Sequence, residues 1–118
     1  MFKRCLKCGN VIKIINNSDN DITCCGEVMK EVKANSVDAS FEKHVPNYEI
    51  KYKRILVTVN HVMEEDHYIE WIMIENDKES YFKRLLPGEE ASAEFDLLDN
   101  AIIYAYCNKH GLWKKEVE

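Results

Sequence analysis

The cysteines and histidines of this chain are few, and their spacing is typical of metal binding. Four of the five cysteines stand near the start, as Cys5-x2-Cys8 and the vicinal pair Cys24-Cys25. A CxxC turn brings two sulfur atoms to one point, and four thiolates together form a set that suits iron or zinc. The fifth cysteine, Cys107, lies far downstream, three positions before a histidine.

The vicinal pair sets a condition on the backbone around it. Adjacent side chains of an extended chain point to opposite sides, so Cys24 and Cys25 reach one metal only if the chain kinks. Gly26 permits such a kink, and the expected site is a distorted tetrahedron of four sulfur atoms. An electron-carrying iron is the favoured occupant. A zinc ion that only stabilises a very small domain, and a vicinal disulfide, are the alternatives.

Two of the four histidines, His61 and His67, stand six positions apart. On a helix their rings would be about 120° apart around the axis. On a strand they would be roughly 20 Å apart, far beyond the reach of bonds of about 2.1 Å to one ion. They can share a metal only if residues 62–66 loop outward, and the acidic run Glu64-Glu65-Asp66 suits a solvated loop tip.

The other candidate ligands raise the same question of geometry. A tight turn at Asn108-Lys109, released by Gly111, would bring Cys107 and His110 together. His44 precedes Pro46, which favours an extended backbone there. The alternative interpretation is four unrelated surface histidines and a buried core cysteine, and the spacing by itself leaves both open.

The composition excludes several classes of function. The chain has 118 residues, 46% of them hydrophobic, and a net charge of −5. No basic stripe is available to neutralise phosphates, which argues against nucleic acid as a partner. No apolar run approaches the roughly 18 residues of a membrane span, and the N-terminus has no apolar signal region. We therefore expect a cytoplasmic protein with reduced thiols, in which cysteines at motif spacing bind metal.

The chain divides into two predicted domains, residues 1–36 and 37–118. The first is too small to fold without a metal, disulfides or a partner chain. The second is predicted to be all-β, because short strand candidates alternate with turns, as in a β-sandwich. Its strand candidates are 48–60, 67–76, 80–86, 91–97, 100–107 and 112–117, and the apolar run 67–76 is expected between two layers.

These residues and motifs resemble those of the two-iron superoxide reductases, the desulfoferrodoxins. The resemblance covers almost the whole chain: a desulforedoxin-like start with CxxC and CCGE, then EKHVP (42–46), HVMEEDHYIEWI (61–72) and CNKHGLWK (107–114). It implies an immunoglobulin-like β-sandwich after a small desulforedoxin-like domain, with two irons per chain. The implied ligands of the first iron, where zinc is also possible, are Cys5, Cys8, Cys24 and Cys25. Those of the second are four imidazoles in a plane, His44, His61, His67 and His110, and an axial thiolate, Cys107.

The resemblance also implies a reaction and its helpers. Superoxide would take up one electron and two protons at the second iron and leave as hydrogen peroxide. Lys43 would attract the anion and help to deliver a proton through water. Glu42 would bind the ferric ion after turnover, as a resting-state ligand. The four-cysteine iron would relay electrons, a rubredoxin-like protein would donate them, and the chain would form a homodimer.

The sequence departs from the family pattern at two positions. The commoner motif reads like HPMEEKHYIEWI, whereas Val62 and Asp66 stand here in place of its proline and lysine. A missing lysine weakens the local attraction for an anion, so the rate is more in question than the reaction. Rival functions are a superoxide dismutase, a rubredoxin-like electron carrier with a structural second metal, and an iron sensor of peroxide or nitric oxide.

Overall fold

A computed structural model describes all 118 residues, which form two compact units, Met1–Lys33 and Ala34–Glu118. Nearly all the regular structure is β, as predicted, and the single α-helix has four residues. No helix is both long and apolar enough to span a membrane. The predicted division after residue 36 lies close to the boundary between the units. The assignment of separate functions to residues 1–36 and 37–118 stays a prediction.

The first unit consists of five very short strands. They are β1 (Phe2–Arg4), β2 (Val11–Lys13), β3 (Thr23–Cys24), β4 (Glu27–Val28) and β5 (Lys30–Val32). Strands β2, β1 and β5 form an antiparallel sheet in that order, and β3 pairs with β4 as a hairpin. Strands β4 and β5 are separated at Met29, whose backbone N–H donates to the carbonyl of Ile22 at 2.7 Å. Only three hydrophobic residues of the first unit are buried, namely Phe2, Cys5 and Met29.

The second unit is a β-sandwich of seven strands with a helical turn at its start. Its elements are α1 (Phe41–His44), β6 (Asn47–Lys51), β7 (Arg54–Thr58), β8 (Ile69–Glu75), β9 (Ser80–Arg84), β10 (Ser92–Asp96), β11 (Ile102–Cys107) and β12 (Gly111–Glu116). One sheet has the order β10-β7-β6 and the other β12-β11-β8-β9, and every pair is antiparallel. A three-plus-four sandwich of this kind is the immunoglobulin-like architecture that the sequence predicted.

Alternating side chains from the two sheets build the core of the second unit. Ile55 and Val57 of β7, Ile72 and Ile74 of β8, and Ile103 of β11 are fully buried in one cluster. Strand β8 lies inside its sheet and is buried on both faces, as its apolar run predicted. Burial also alternates along β10, where Ala93 and Phe95 are buried and Glu94 and Asp96 are exposed.

The long strand predicted over 48–60 is wrong. The chain reverses at Tyr52-Lys53, so that β6 and β7 form a hairpin in which Lys51 pairs with Arg54. Tyr52 has a φ of +59° and is 90% exposed. Two-residue hairpin turns usually carry Asn-Gly, Asp-Gly or another glycine pair. None of these is present, and the sequence therefore gave no turn signal.

Candidate metal centres

The four cysteines of the first unit converge. Their sulfur atoms all lie within 4.8 Å of one another, with 3.6 Å between Cys8 and Cys24 and 3.9 Å between Cys24 and Cys25. Sulfur atoms around one tetrahedral ion with bonds of about 2.3 Å are about 3.8 Å apart. All the cysteines are free thiols. The set therefore fits a single tetrahedral metal and not the vicinal disulfide that the sequence left open.

Both halves of this cluster are built from tight turns. Cys25 and Gly26 have φ values of +54° and +77° and join β3 to β4. Two consecutive residues with positive φ form the type I′ hairpin turn. The predicted kink is thus present, and Cys25 itself takes part in it. In the CxxC half, the N–H of Cys8 donates to the sulfur of Cys5 at 3.5 Å.

The pKa values of these thiols differ widely. The backbone N–H of Cys8 lowers the pKa of Cys5 to about 6. Hydrogen bonds to neighbouring sulfur atoms, first of all that of Cys8, raise the pKa of Cys25 to about 12. Thiols whose pKa is raised in this way keep their protons unless a cation replaces them. Metal binding to this site is therefore expected to release protons.

In the second unit, four histidines and one cysteine converge in the same way. Their potential ligand atoms all lie within 4.8 Å of one another. The five side chains come from three places: the end of α1, the β7–β8 loop and the β11–β12 turn. In that order they are His44, then His61 and His67, then Cys107 and His110.

The position of His44 corrects one prediction. The stretch before Pro46 is the helical turn α1, and the backbone becomes extended only at Val45, which has φ −69° and ψ 127°. Proline disfavours helix at the residue before it, so the turn ends at His44. The Nδ1–H of His44 donates to the carbonyl of Ser40 at 2.7 Å, and the ring is buried. Nε2 is then the nitrogen that faces the other histidines.

The β7–β8 loop brings His61 and His67 together as the sequence predicted. Glu64 and His67 exchange backbone hydrogen bonds of 3.0 and 3.1 Å, and Glu65 and Asp66 form the exposed tip between them. The rings of His61 and His67 meet edge to face, with centroids 4.6 Å apart. The Nδ1–H of His61 donates to the carbonyl of Val62 at 2.6 Å, which leaves Nε2 for a metal.

The predicted β11–β12 turn is also present. Cys107 pairs with Gly111, whose φ of +78° closes the turn. The backbone N–H of His110 donates to the sulfur of Cys107 at 3.4 Å, a contact that stabilises a thiolate. The indole N–H of Trp113 donates to the carbonyl of His110 at 3.1 Å, and the same indole stacks on the ring of His44 at 4.8 Å.

The distances within this cluster fit one metal ion. Nε2 of His44 lies 3.0 Å from Nδ1 of His110, and Nε2 of His61 lies 3.4 Å from the sulfur of Cys107. Neighbouring nitrogens bound at right angles with bonds of about 2.1 Å are about 3.0 Å apart. Nε2 of His67 is buried without a hydrogen-bond partner. A buried nitrogen of this kind is costly unless a ligand uses its lone pair.

The pKa shifts of the histidines and of Cys107 agree with a single metal ion at this cluster. Burial lowers the pKa of His44, His61 and His67. Neutral imidazoles are the form that binds metals. Burial also raises the pKa of Cys107, so a thiolate there requires the compensating charge of a cation.

Two charged residues that the sequence singled out lie on α1. Lys43 and Glu42 directly precede His44, and both side chains are exposed. The positive charge of Lys43 adds to the effect of burial on the pKa of both His44 and His61. The lysine is therefore close enough to act on the cluster electrostatically. The structure gives Glu42 no contact with the histidines.

Sequence reasoning missed residues that support the ligands without binding metal. Trp113 contacts two of the histidines, and Asn108 hydrogen-bonds both neighbours of His67. Both lie in the CNKHGLWK motif, so their closeness to Cys107 and His110 was visible in the sequence. Apart from His110, their partners lie about 40 to 70 residues away in the chain, and only the fold shows them.

Fold and site together define a metalloprotein with a four-thiolate site and, in a β-sandwich, a site of four imidazoles and one thiolate. The family model described as Desulfoferrodoxin matches residues 36–116. The chain is 43% identical over 117 residues to the desulfoferrodoxin of Nitratidesulfovibrio vulgaris, covering 96% of this chain and 93% of that protein. The chain belongs to the desulfoferrodoxin family.

The solved structures that this chain resembles are superoxide reductases. The superoxide reductase from Treponema pallidum superposes with a TM-score of 0.76 at 26% identity and covers 98% of both chains. The one-iron superoxide reductase from Giardia intestinalis matches with a TM-score of 0.57 at 26% identity, over 65% of this chain and 98% of that one.

Proposed function

We propose that this chain is a superoxide reductase, which reduces superoxide to hydrogen peroxide by one electron. The observation that carries the proposal is the convergence of four imidazoles and the Cys107 thiolate within 4.8 Å. The similarity to the Treponema pallidum superoxide reductase over 98% of both chains supports it.

The donor sets favour iron as the cofactor. Five donors exceed the four that zinc prefers, and a soft sulfur with four imidazoles suits iron. When bound there, ferrous iron supplies the electron for superoxide, and the thiolate increases its electron density. The four-cysteine site accepts iron or zinc by its chemistry. We infer two metal ions per chain, with iron in at least the second centre.

The reaction needs one superoxide, one electron and two protons for each hydrogen peroxide. The chain has a net charge of −5, so an anionic substrate must be attracted locally. Lys43 supports this role, because its charge acts on His44 and His61. Focusing by a local charge can raise association rates by roughly 10 to 10³. We assign Lys43 to attract superoxide and to deliver a proton through water.

Glu42 has a different assigned role. It is one residue further from His44 than Lys43, on the same exposed helical turn. A carboxylate is a good ligand for ferric iron, so Glu42 is assigned to the oxidised resting state of the site. It is not needed to protonate or bind superoxide.

The first centre is proposed to relay electrons. Its four sulfur ligands form a complete set in a unit of their own, and none of them is shared with the second centre. A rubredoxin-like protein is the proposed donor. We also propose that the protein is a cytoplasmic homodimer, since free thiols and a very small first unit suit a reducing compartment and a partner chain.

The consumption of reductant tests the reaction class. An iron-loaded reductase oxidises one equivalent of a one-electron donor for each superoxide consumed, whereas a dismutase oxidises none. Cys107→Ser serves as a control, because it removes the thiolate and should abolish catalysed donor oxidation. Superoxide loss that is faster than spontaneous decay, without donor oxidation, would identify a dismutase.

A further inference from the structure

The buried Nε2 of the His67 ring has no hydrogen-bond partner in the protein. Carbonyl groups fix the rings of His44 and His61 through Nδ1. Nδ1 of His110 faces Nε2 of His44 at 3.0 Å. Apart from edge-to-face contacts with His61 and His110, the position of the His67 ring is therefore set through its backbone.

The backbone around His67 has little support of its own. Its reciprocal hydrogen bonds with Glu64 close a tight turn, but the turn ends in the exposed residues Glu65 and Asp66. The regular pairing of β8 with β11 is interrupted just beyond it, where the register shifts between Tyr106 and Cys107. An isolated turn of this length is not stable in water.

Asn108 supplies the missing connection. Its side-chain Oδ1 accepts the backbone N–H of Tyr68 at 3.0 Å, and its Nδ2 donates to the carbonyl of Asp66 at 2.9 Å. Its backbone N–H donates to the carbonyl of Tyr68 at 3.2 Å. Asn108 directly follows Cys107, and it thus joins both chain neighbours of His67 to the β11–β12 turn.

A second link between the same segments is much weaker. Lys109 and Asp66 form an ion pair at 3.9 Å with side chains 52% and 80% exposed. Exposed pairs of this kind contribute little and are screened by salt. The side-chain amide of Asn108 instead makes two directed hydrogen bonds, one through its acceptor oxygen and one through its donor nitrogen. The amide is therefore the dominant link.

We propose that Asn108 is a positioning residue that holds His67 at a fixed distance from Cys107, so that the histidine is ready to bind the metal. The inference rests on the proposed metal centre. Outer partners of metal ligands typically change metal affinity by about 10- to 100-fold when they are removed. We expect a loss in this range for Asn108→Ala at the histidine-containing site.

Cadmium(II) is a suitable probe, because cadmium-113 NMR gives separate resonances for four-thiolate and imidazole-rich sites. Full-length protein loaded at both sites is titrated with a chelator, and each resonance is followed. In Asn108→Ala the imidazole-site resonance should shift and disappear at about 10- to 100-fold less chelator. The four-thiolate resonance should behave as in the unmodified protein, and it serves as an internal reference.

The chain offers a matched control at the opposite end of β8. Oδ1 of Asn76 accepts the N–H groups of Lys78 and Glu79 at 2.9 Å, and its Nδ2 donates to the carbonyl of Asp99 at 3.0 Å. Asn76→Ala therefore removes an equivalent bridge nine residues from His67, which is roughly 30 Å along an extended strand. It should lower the denaturation midpoint without changing either cadmium resonance.

Asn108→Asp keeps the acceptor for Tyr68 and loses the donor to Asp66. It is expected to bind cadmium with an affinity between those of Asn108→Ala and the unmodified protein, and it supplies the test if Asn108→Ala does not fold. The proposal is wrong if either Asn108 variant keeps the original resonance and affinity, or if Asn76→Ala loses as much affinity. These readouts do not involve superoxide, so a failure here is distinct from a failure of the proposed reaction.

Discussion

At the scale of single residues, the proposed role of Lys43 is the easiest to test. It lies on α1 directly before His44, and its charge reaches both His44 and His61. The chain as a whole is negative, and Asp66 adds a further negative charge beside His67. The structure places Lys109 3.9 Å from Asp66, so a cation is still present there but is paired. Lys43 is therefore expected to attract the substrate together with Lys109, whose charge acts on His67.

We predict that Lys43→Ala lowers the association rate with superoxide by about tenfold at low salt. The salt dependence should also become flatter, because a screened attraction has been removed. Pulse radiolysis of the reduced, iron-loaded protein measures both. Lys43→Arg should keep the rate, and Lys51→Ala, at the far end of β6, should change it little. An unchanged rate in Lys43→Ala at low salt would contradict the assignment.

Glu42→Ala is predicted to change the oxidised protein while leaving the rate of superoxide reduction nearly unchanged. If Glu42 binds only the oxidised iron, its removal should leave the rate of superoxide reduction within about twofold of the original, since it stabilises no charge in the reaction. The visible spectrum of the oxidised protein should change, because a ligand is lost. A rate reduced to the level of Lys43→Ala, with an unaltered oxidised spectrum, would show that Glu42 acts in turnover instead.

The family resemblance, and not the residue spacing alone, predicted which nine residues converge, and neither predicted how they face one another. Metal ligation by these residues remains the proposal. The choice of nitrogen depends on the carbonyl groups of Ser40 and Val62, which fix two rings. Such contacts depend on backbone orientation in a helical turn and a loop, and residue spacing carries no information about them.

At the scale of elements, the first unit should be separable from the reaction. Its site draws all four ligands from turns within Met1–Lys33, and none of them is near His44 or Cys107 in the sequence. Cys8→Ser is predicted to lose the first metal while it keeps most of the activity with an artificial electron donor. Metal analysis and superoxide turnover on the same sample measure this. Full inactivity with the second iron still bound would show that the first centre is essential to the reaction.

Element boundaries were the least predictable part of the fold. The H-x5-H loop and the Asn108-Lys109 turn were correct because metal reach and turn-forming residues restrict them strongly. The helical turn α1 was missed because four residues are too few for a helical pattern to be recognised. The break at Tyr52-Lys53 was missed because its positive φ falls on a tyrosine, which usually avoids that conformation.

At the scale of the whole molecule, the two units should depend differently on metal. Met1–Lys33 buries only Phe2, Cys5 and Met29 among its hydrophobic residues, whereas Ala34–Glu118 has a continuous core between two sheets. Chelation should therefore unfold residues 1–33 and leave 34–118 folded, since structural metal binding is folding free energy for small domains. Amide NMR spectra before and after chelation show this directly. Dispersed signals from residues 2–32 in metal-free protein would contradict it.

The stoichiometry of the reaction tests the central claim most directly. A known flux of superoxide is supplied to the reduced, iron-loaded protein with excess reductant, and the hydrogen peroxide formed per superoxide consumed is counted. A superoxide reductase gives a ratio near one, because each superoxide receives an external electron. A ratio near one half would mean that half of the superoxide was oxidised to oxygen, and the mechanism based on Cys107 and Lys43 would then be wrong.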